Sequence, residues 1–281
     1  YEYDIDVPIH YINLNPDMTF VYPESTDVRI EFSGKGTDLL RLHFYRVYYQ
    51  VDLSDAPRHM ELDLSQHPEY VNYPAELDVR VKSIIRPRIL AVDLDKKEGK
   101  KIPVKVNYHL ETPPGYILVD AKAQPDSVLV TGPAIMFKKL DEIFTQQKEF
   151  KNAAQAFTRK IPIKQFSDYY ARYVPEVVNV TFDIQRLAEK EIPNVPVTVI
   201  NVPPTLQVVP LPSTATIYVK GGEKILADLE ANDFKIVIDF RKEWSPGVKE
   251  VKADLITEAN VLYMETRPPE FELIVQRKRT E

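Results

Sequence analysis

The sequence predicts a mainly β protein built as a tandem array of three small repeat domains, each with one short helix after an anchor glycine. Three observations predict it. A proline stands eighteen residues before a glycine three times over, as Pro16 and Gly34, Pro114 and Gly132, and Pro203 and Gly221. Large apolar residues follow each glycine at plus five and plus eight: Leu39 and Leu42, Phe137 and Leu140, Leu226 and Leu229. Apolar residues elsewhere alternate with polar ones, the period of a strand with one face in a core. An internal repeat is read before anything else, because it decides the architecture. A residue present in all three copies belongs to the scaffold, and a residue unique to one copy is where a special site could stand.

Composition agrees. The 281 residues hold 23 prolines and only 8 glycines, with the prolines spread along the borders of the alternating segments. That pattern suits many short edge strands and stiff connections. The net charge is −6 with both signs interspersed, so no stretch carries the basic footprint of a nucleic-acid site. The absence of cysteine excludes disulfides, thiolate metal sites and a cysteine nucleophile. No run approaches the roughly 18 apolar residues of a membrane span.

Copy one begins near Val7-Pro8-Ile9. Val28, Ile30 and Phe32 form a strand that ends at Gly34 and Gly36, where Thr37 or Asp38 can cap a helix bearing Leu39 and Leu42. Val47, Tyr49, Val51 and Leu53 alternate next, then Met60, Leu62 and Leu64. Pro74 opens the closing strand with Leu77, Val79 and Val81. Copy two begins at Ile102-Pro103-Val104, runs through Val128-Leu129-Val130 to Gly132, and continues in a helix with Met136, Phe137, Leu140 and Ile143. Its next strand, at Gln146-Gln147-Lys148-Glu149, is weak, and Pro175 opens the strand of Val178, Val180 and Phe182. Copy three begins at Val195-Pro196-Val197. Ile217 and Val219 precede Gly221-Gly222, and Ile225, Leu226 and Leu229 mark a helix. Phe234, Ile236, Ile238 and Phe240 alternate, and Pro268 opens the strand of Phe271, Leu273 and Val275. Charged stretches at residues 93–101 and 187–191 read as links, which places the domains at 1–92, 93–188 and 189–281 and predicts an elongated array.

The repeat resembles the YbbR repeat over the whole chain, so that residues 1–92, 93–188 and 189–281 each read as one YbbR-like repeat. The residues that carry the resemblance are Gly132-Pro133 behind Val128-Leu129-Val130-Thr131, the Phe137, Leu140, Ile143 and Thr145 that follow, Pro114-Gly115-Tyr116 upstream, Ile102-Pro103-Val104, and Pro175-Glu176-Val177. Copies one and three depart from it, with Gly34-Lys35 and Gly221-Gly222 in place of Gly-Pro and with Pro16-Asp17 and Pro203-Pro204 in place of Pro-Gly. The resemblance implies small non-enzymatic β modules outside the cytoplasmic membrane, following one N-terminal membrane helix. It also implies the role of a CdaR-type regulator of a membrane-bound diadenylate cyclase, with no catalytic residues to transfer. The chain begins at Tyr1 rather than Met, so such a helix would stand ahead of it. A cell-envelope scaffold or adhesion stalk is the alternative.

Site-bearing motifs are few. Ser33-Gly34-Lys35-Gly36-Thr37 lacks the spacing of a phosphate loop and aligns with turns in the other copies. His10, His43, His59, His67 and His109 include no i, i+4 pair for a metal, and the acidic pairs Asp52/Asp55 and Asp93/Asp95 lack the graded spacing of a calcium loop. No nucleophile elbow is present. The expectation is no catalytic residue, cofactor or metal. Sixteen tyrosines are the residual signal. Tyr45, Tyr48 and Tyr49, and Tyr169, Tyr170 and Tyr173, form two clusters that are candidate interface residues, since tyrosine offers apolar area and a hydroxyl with few rotors to freeze.

Overall fold

The structure is a computed structural model, which describes residues 1–166 and 168–278. The chain is mainly β, and contacts gather it into two compact units. The first holds residues 1–105, 125–146 and 162–178, and the second holds 106–124, 147–161 and the chain from 179 onward.

Each copy makes two small sheets to one plan. The first sheet of copy one runs in the order Val71–Asn72, Tyr48–Asp52, Glu2–Ile12, Asp27–Gly34, Val79–Arg86. Its central strand pairs antiparallel with Asp27–Gly34 over residues 2–8, then changes partner and pairs parallel with Tyr48–Asp52 from Ile9 onward. The same switch recurs at Val104, which pairs with Ile143, and at Val197, which pairs with Ile236. In each copy the residue just before the switch is proline: Pro8, Pro103 and Pro196. Pro8 faces Asp27 at a register position where an N–H would point away from the antiparallel partner. Proline has no N–H, so nothing is left unpaired there.

The three anchor glycines are equivalent. Gly34 exchanges both backbone hydrogen bonds with Tyr1, at 3.0 Å each. Gly132 pairs with Glu98 and Gly221 with Ala188 in the same register. A short helix follows each one: Gly36–Arg41, the 3-10 turn Met136–Lys138, and Glu223–Asp228. The plus-five and plus-eight residues are all buried. None of the three glycines has positive φ, so their reason is close approach. A Cβ on Gly34 would strike the backbone carbonyl of Asp78, and one on Gly132 would lie 2.8 Å from Met136 Cε. At Gly221 the space is ordinary, and the tight place moves one residue on. A Cβ on Gly222 would lie 2.5 Å from Gln185 Oε1 and 2.7 Å from Val119 Cγ2.

The second sheet of copy one pairs residues 89–96 with Met18–Phe20 and His59–Asp63. In copy three Glu270–Arg277 takes Leu206–Leu211 and Glu250–Lys252 as partners. In copy two the strand that begins at Val177 takes Tyr116–Gln124 and Phe157–Pro162. Tyr108, Phe150, Phe157 and Phe182 close an aromatic core there, with ring centroids 5.0–5.3 Å apart.

Four expectations are corrected. The charged links are strand: residues 93–101 lie inside Ile89–Lys105 and residues 187–191 inside Val177–Ile200. Each of these long strands leaves the second sheet of one copy and becomes the central strand of the next. Buried Leu94 and Ile102 stand at or beside the ends of the first charged stretch, and buried Ile184 and Ile192 flank the second. Pro74 is not the counterpart of Pro175 and Pro268. Pro87 is, with Leu90, Val92 and Leu94 at plus three, five and seven, like Val178, Val180 and Phe182 after Pro175. Arg86–Pro87, Val174–Pro175 and Arg267–Pro268 are all cis. The first helix begins at Gly36, with Lys35 at its N-cap and no side-chain cap from Thr37 or Asp38. Leu64 and Phe240, expected at the ends of strands, instead open a 3-10 turn and a short helix, and Ile143 opens a strand rather than ending a helix.

Three charged or polar residues of the long strands hold the helices. Ile135 N donates to Asp95 Oδ2 at 2.9 Å, and Lys224 N donates to Gln185 Oε1 at 3.0 Å. Ile135 and Lys224 both stand three residues after their anchor glycine, so Asp95 and Gln185 are equivalent N-terminal caps. Lys190 Nζ donates to the carbonyls of Leu226, Ala227 and Leu229 at 2.8, 3.1 and 2.8 Å, which closes the C-terminal end of Glu223–Asp228. Cations at that end of a helix also meet its negative pole. Tyr3 and Lys100 occupy the same register position in the other copies. Tyr3 reaches His43, and Lys100 lies over the Phe137 ring at 5.1 Å.

Two stability predictions follow from these contacts. Gly34→Ala should cost about 3 kcal/mol in urea unfolding, because backbone must move, whereas Gly221→Ala should stay within about 0.5 kcal/mol; equal losses would show that the glycines are not kept for close approach. Lys190→Met should cost about 1–2 kcal/mol and raise amide exchange in residues 223–229, through the loss of three charge-assisted hydrogen bonds.

Candidate binding groove

Copy one carries a groove at its surface. Over residues 2–8 the central strand has Asp27–Gly34 on one edge. Because Tyr1 and Gly34 exchange hydrogen bonds, Tyr3, Ile5 and Val7 also point their N–H and C=O groups at that neighbour. Glu2, Asp4 and Asp6 point theirs, and Pro8 its carbonyl, to the opposite edge, which lies open among the described residues until Tyr48–Asp52 joins at Ile9. A groove of about 800 Å³ runs along this edge. Ile5, Val7, Leu42 and Val47 supply its apolar part, and all four side chains are buried. Asp4, Asp6, His10, His43, Tyr45 and Arg46 stand on its rim.

The rim is held in place by local contacts. Tyr3 Oη and His43 Nε2 are 2.8 Å apart, with the rings edge to face. His10 stacks on Tyr48 at 4.6 Å. Arg41 donates to Tyr45 Oη at 3.1 Å and lies 5.7 Å from the ring centre, and the phenol oxygen raises the pKa of Arg41. Arg29 Nε sits 3.3 Å from Asp6 Oδ1. Copy three has Asn232, Asp233 and Lys235 where copy one has Tyr45, Arg46 and Tyr48, and copy two is four residues shorter here. The rim is therefore peculiar to copy one. It offers hydrogen-bonding edge groups, apolar floor and aromatic walls, which suits binding.

The two tyrosine clusters divide by role. Tyr45 and Tyr48 are half-buried and line the groove. Tyr49 is fully buried in the core of copy one and donates to the His67 carbonyl at 3.1 Å. Tyr173 is buried, and its hydroxyl accepts from Phe166 N at 3.1 Å. Tyr170 packs edge to face on Phe20, 5.9 Å away, and its N–H donates to the Val21 carbonyl. Tyr169 stacks on Tyr22 at 6.2 Å. The second cluster thus ties copy two to copy one inside the first unit. Position within the repeat could have separated Tyr49 beforehand, since it falls on the apolar phase of Val47, Val51 and Leu53. Nothing in the sequence pointed to His10, His43 or Arg46 as groove residues, because they come from segments more than 30 residues apart.

The histidines sit in separate polar contacts. His59 Nδ1 lies 2.6 Å from Asp93, a hydrogen bond that raises the pKa of His59. His67 bonds Glu69 at 2.9 Å, and His109 lies 3.3 Å from Glu111. Among the described residues no group of three or more His, Asp or Glu is arranged to hold a metal ion.

Comparison with known proteins finds a family match for the middle copy. Residues 102–182 match the family model for YbbR-like protein. A YbbR-like protein from Streptococcus pneumoniae TIGR4 is similar over 66% of this chain and 96% of its own, at 15% identity and a TM-score of 0.45. The YbbR-like domain of the lmo2119 protein from Listeria monocytogenes is 28% identical over 34% of this chain and 98% of its own, with a TM-score of 0.29. No curated protein matches the chain. The protein thus carries a YbbR-like domain in its middle copy, as the Gly132-Pro133 motif led one to expect. YbbR-like domains are not known as a catalytic fold.

Buried phenols make the first unit sensitive to alkali. Burial, aided by the charge of Glu24, pushes Tyr11 up to about 12. Burial, aided by Glu69, also raises Tyr49. A phenol whose folded pKa exceeds its unfolded value near 10 holds its proton longer when folded. Its contribution is whole below pH 10 and is lost as pH rises through 12. Urea unfolding at pH 8, 10 and 12 should show falling stability across the upper interval, with a shallower fall in Tyr11→Phe. A flat profile, or an identical slope in the variant, would contradict the assignment.

Proposed function

We propose that this chain is a non-enzymatic, extracytoplasmic array of YbbR-type modules that regulates a membrane-bound diadenylate cyclase through a membrane helix preceding Tyr1. The YbbR-like domain at residues 102–182 is the observation that carries the reading. The recurrence of its strand plan in copies one and three supports it, because three copies of one scaffold leave chemistry no shared constellation to use. A module outside the membrane cannot touch a cytoplasmic active site. Its influence travels through the helix, by changing how that helix packs on the cyclase's own membrane segments. Regulation requires different affinities for the active and inactive cyclase; equal affinity shifts nothing, however tight.

The strands that pass unbroken between sheets of successive copies favour a second reading, an envelope stalk. One experiment separates the two. Cyclic di-AMP is measured in cells with the full-length gene, without it, and with only residues 1–281 exported. The expected result is a change of at least about twofold on deletion, restored by the anchored protein and not by the exported fragment. Equal levels in all three strains would favour the stalk.

A further inference from the structure

Copy one leaves part of a strand edge unpaired. Asp4 and Asp6 turn their backbone N–H and C=O groups away from Asp27–Gly34, and among the described residues no strand meets them. Tyr48–Asp52 takes the same edge from Ile9 onward, so the groove of about 800 Å³ lies where one more stretch of strand would extend it. That volume falls within the roughly 300–1,000 Å³ of pockets that hold a ligand. An extended chain laid there exchanges backbone hydrogen bonds with Asp4 and Asp6, as a strand added to a sheet edge does.

Side chains select the occupant. Residues directly opposite each other in an antiparallel pair lie on one face of the sheet. On the outer face of copy one, Glu2 is held by Lys82 at 2.6 Å and Asp6 by Arg29 at 3.3 Å. Glu31 stands directly opposite Asp4 and is held by the same Lys82 at 3.3 Å. Asp4 is exposed and makes no ion pair or side-chain hydrogen bond among the described residues. Arg46 also lines the groove, but it belongs to the segment from Leu42 to Tyr48 and does not pair with Asp4. A lysine or arginine opposite Asp4 on an added strand supplies the missing cation. A second copy does not: antiparallel pairing of this edge with itself, centred on Asp4, sets Asp4 against Asp4 and Glu2 against Asp6. The alternate residues of the added strand fall on the face of Ile5 and Val7, where Leu42 and Val47 also line the groove, so apolar side chains suit them.

We infer that this edge takes up an extended segment of a partner protein, in which lysine or arginine alternates with apolar residues, paired antiparallel with Asp4 and Asp6. The inference goes beyond the regulatory reading and does not rest on it. The test is fluorescence anisotropy of residues 1–281 with a labelled, capped heptapeptide of alternating lysine and valine, with amide hydrogen exchange on the same samples. The expected result is saturable binding that slows exchange at Asp4 and Asp6. In the antiparallel pair the lysine N–H groups face the edge and the valine N–H groups face away. N-methylation of the lysines should therefore weaken binding at least about tenfold, and N-methylation of the valines should leave it within about twofold. Asp4→Lys should weaken the lysine peptide about tenfold and admit a glutamate–valine peptide, with an unchanged melting temperature. No saturable binding, equal loss from the two methylated peptides, or preference of the parent chain for the glutamate peptide overturns the inference. So does sedimentation showing that the parent chain pairs with itself through this edge, because a second copy would then be the occupant. No cyclase is present in this assay, so failure here leaves the regulatory reading standing.

Discussion

Everything in this fold is arranged around one strand that must serve two partners. In each copy the central strand pairs antiparallel for half its length and parallel for the rest. A strand cannot change neighbours without leaving backbone groups exposed at the crossing. The prolines at 8, 103 and 196 stand at that crossing and remove the donor that would be stranded there. The hairpin, the glycine and the helix follow in turn. The antiparallel half returns the chain to the anchor glycine, whose missing side chain in copies one and two admits a neighbouring strand or helix, and the helix carries the chain over to lay down the parallel half. A bulge between Ile192 and Val195 lets copy three make the same switch with one extra residue.

The long strands add a second constraint. Because Ile89–Lys105 and Val177–Ile200 belong to two sheets each, their residues work for two copies. Asp95 and Gln185 sit on the strand as it arrives and cap the helix of the copy it enters. Asn13 and Asn201, both in the left-handed region, mark where the central strand ends in copies one and three. Each donates to an aspartate at the end of the parallel partner, Asp52 or Asp239. Those aspartates in turn accept from the N–H two residues on, at Ser54 and Arg241.

Legibility followed periodicity. Leu39, Leu42, Phe137, Leu140, Leu226 and Leu229 announced buried positions through spacing alone, and the β class and the glycine equivalence came with them. The charged stretches are strand despite their composition because backbone pairing on both edges, rather than burial of side chains, holds residues 96–101. Pro74 misled because its apolar spacing copies that of Pro87, and only pairing partners distinguish an outer strand from a departing one. The groove was half legible. Tyr45 and Tyr48 were flagged by type, but Asp4, His10 and His43 join them only through strand register, which no local pattern reports.

The contact map groups the second copy's first sheet with copy one and its second sheet with copy three. The segment that was duplicated and the segment that cooperates in folding are therefore out of phase by half a copy. Duplication of such a segment does not append an independent bead. It cuts an existing partnership between two sheets and inserts a new pair, so each added copy must fit its neighbours' halves rather than its own. Sequence divergence between copies is then restrained by adjacency along the chain.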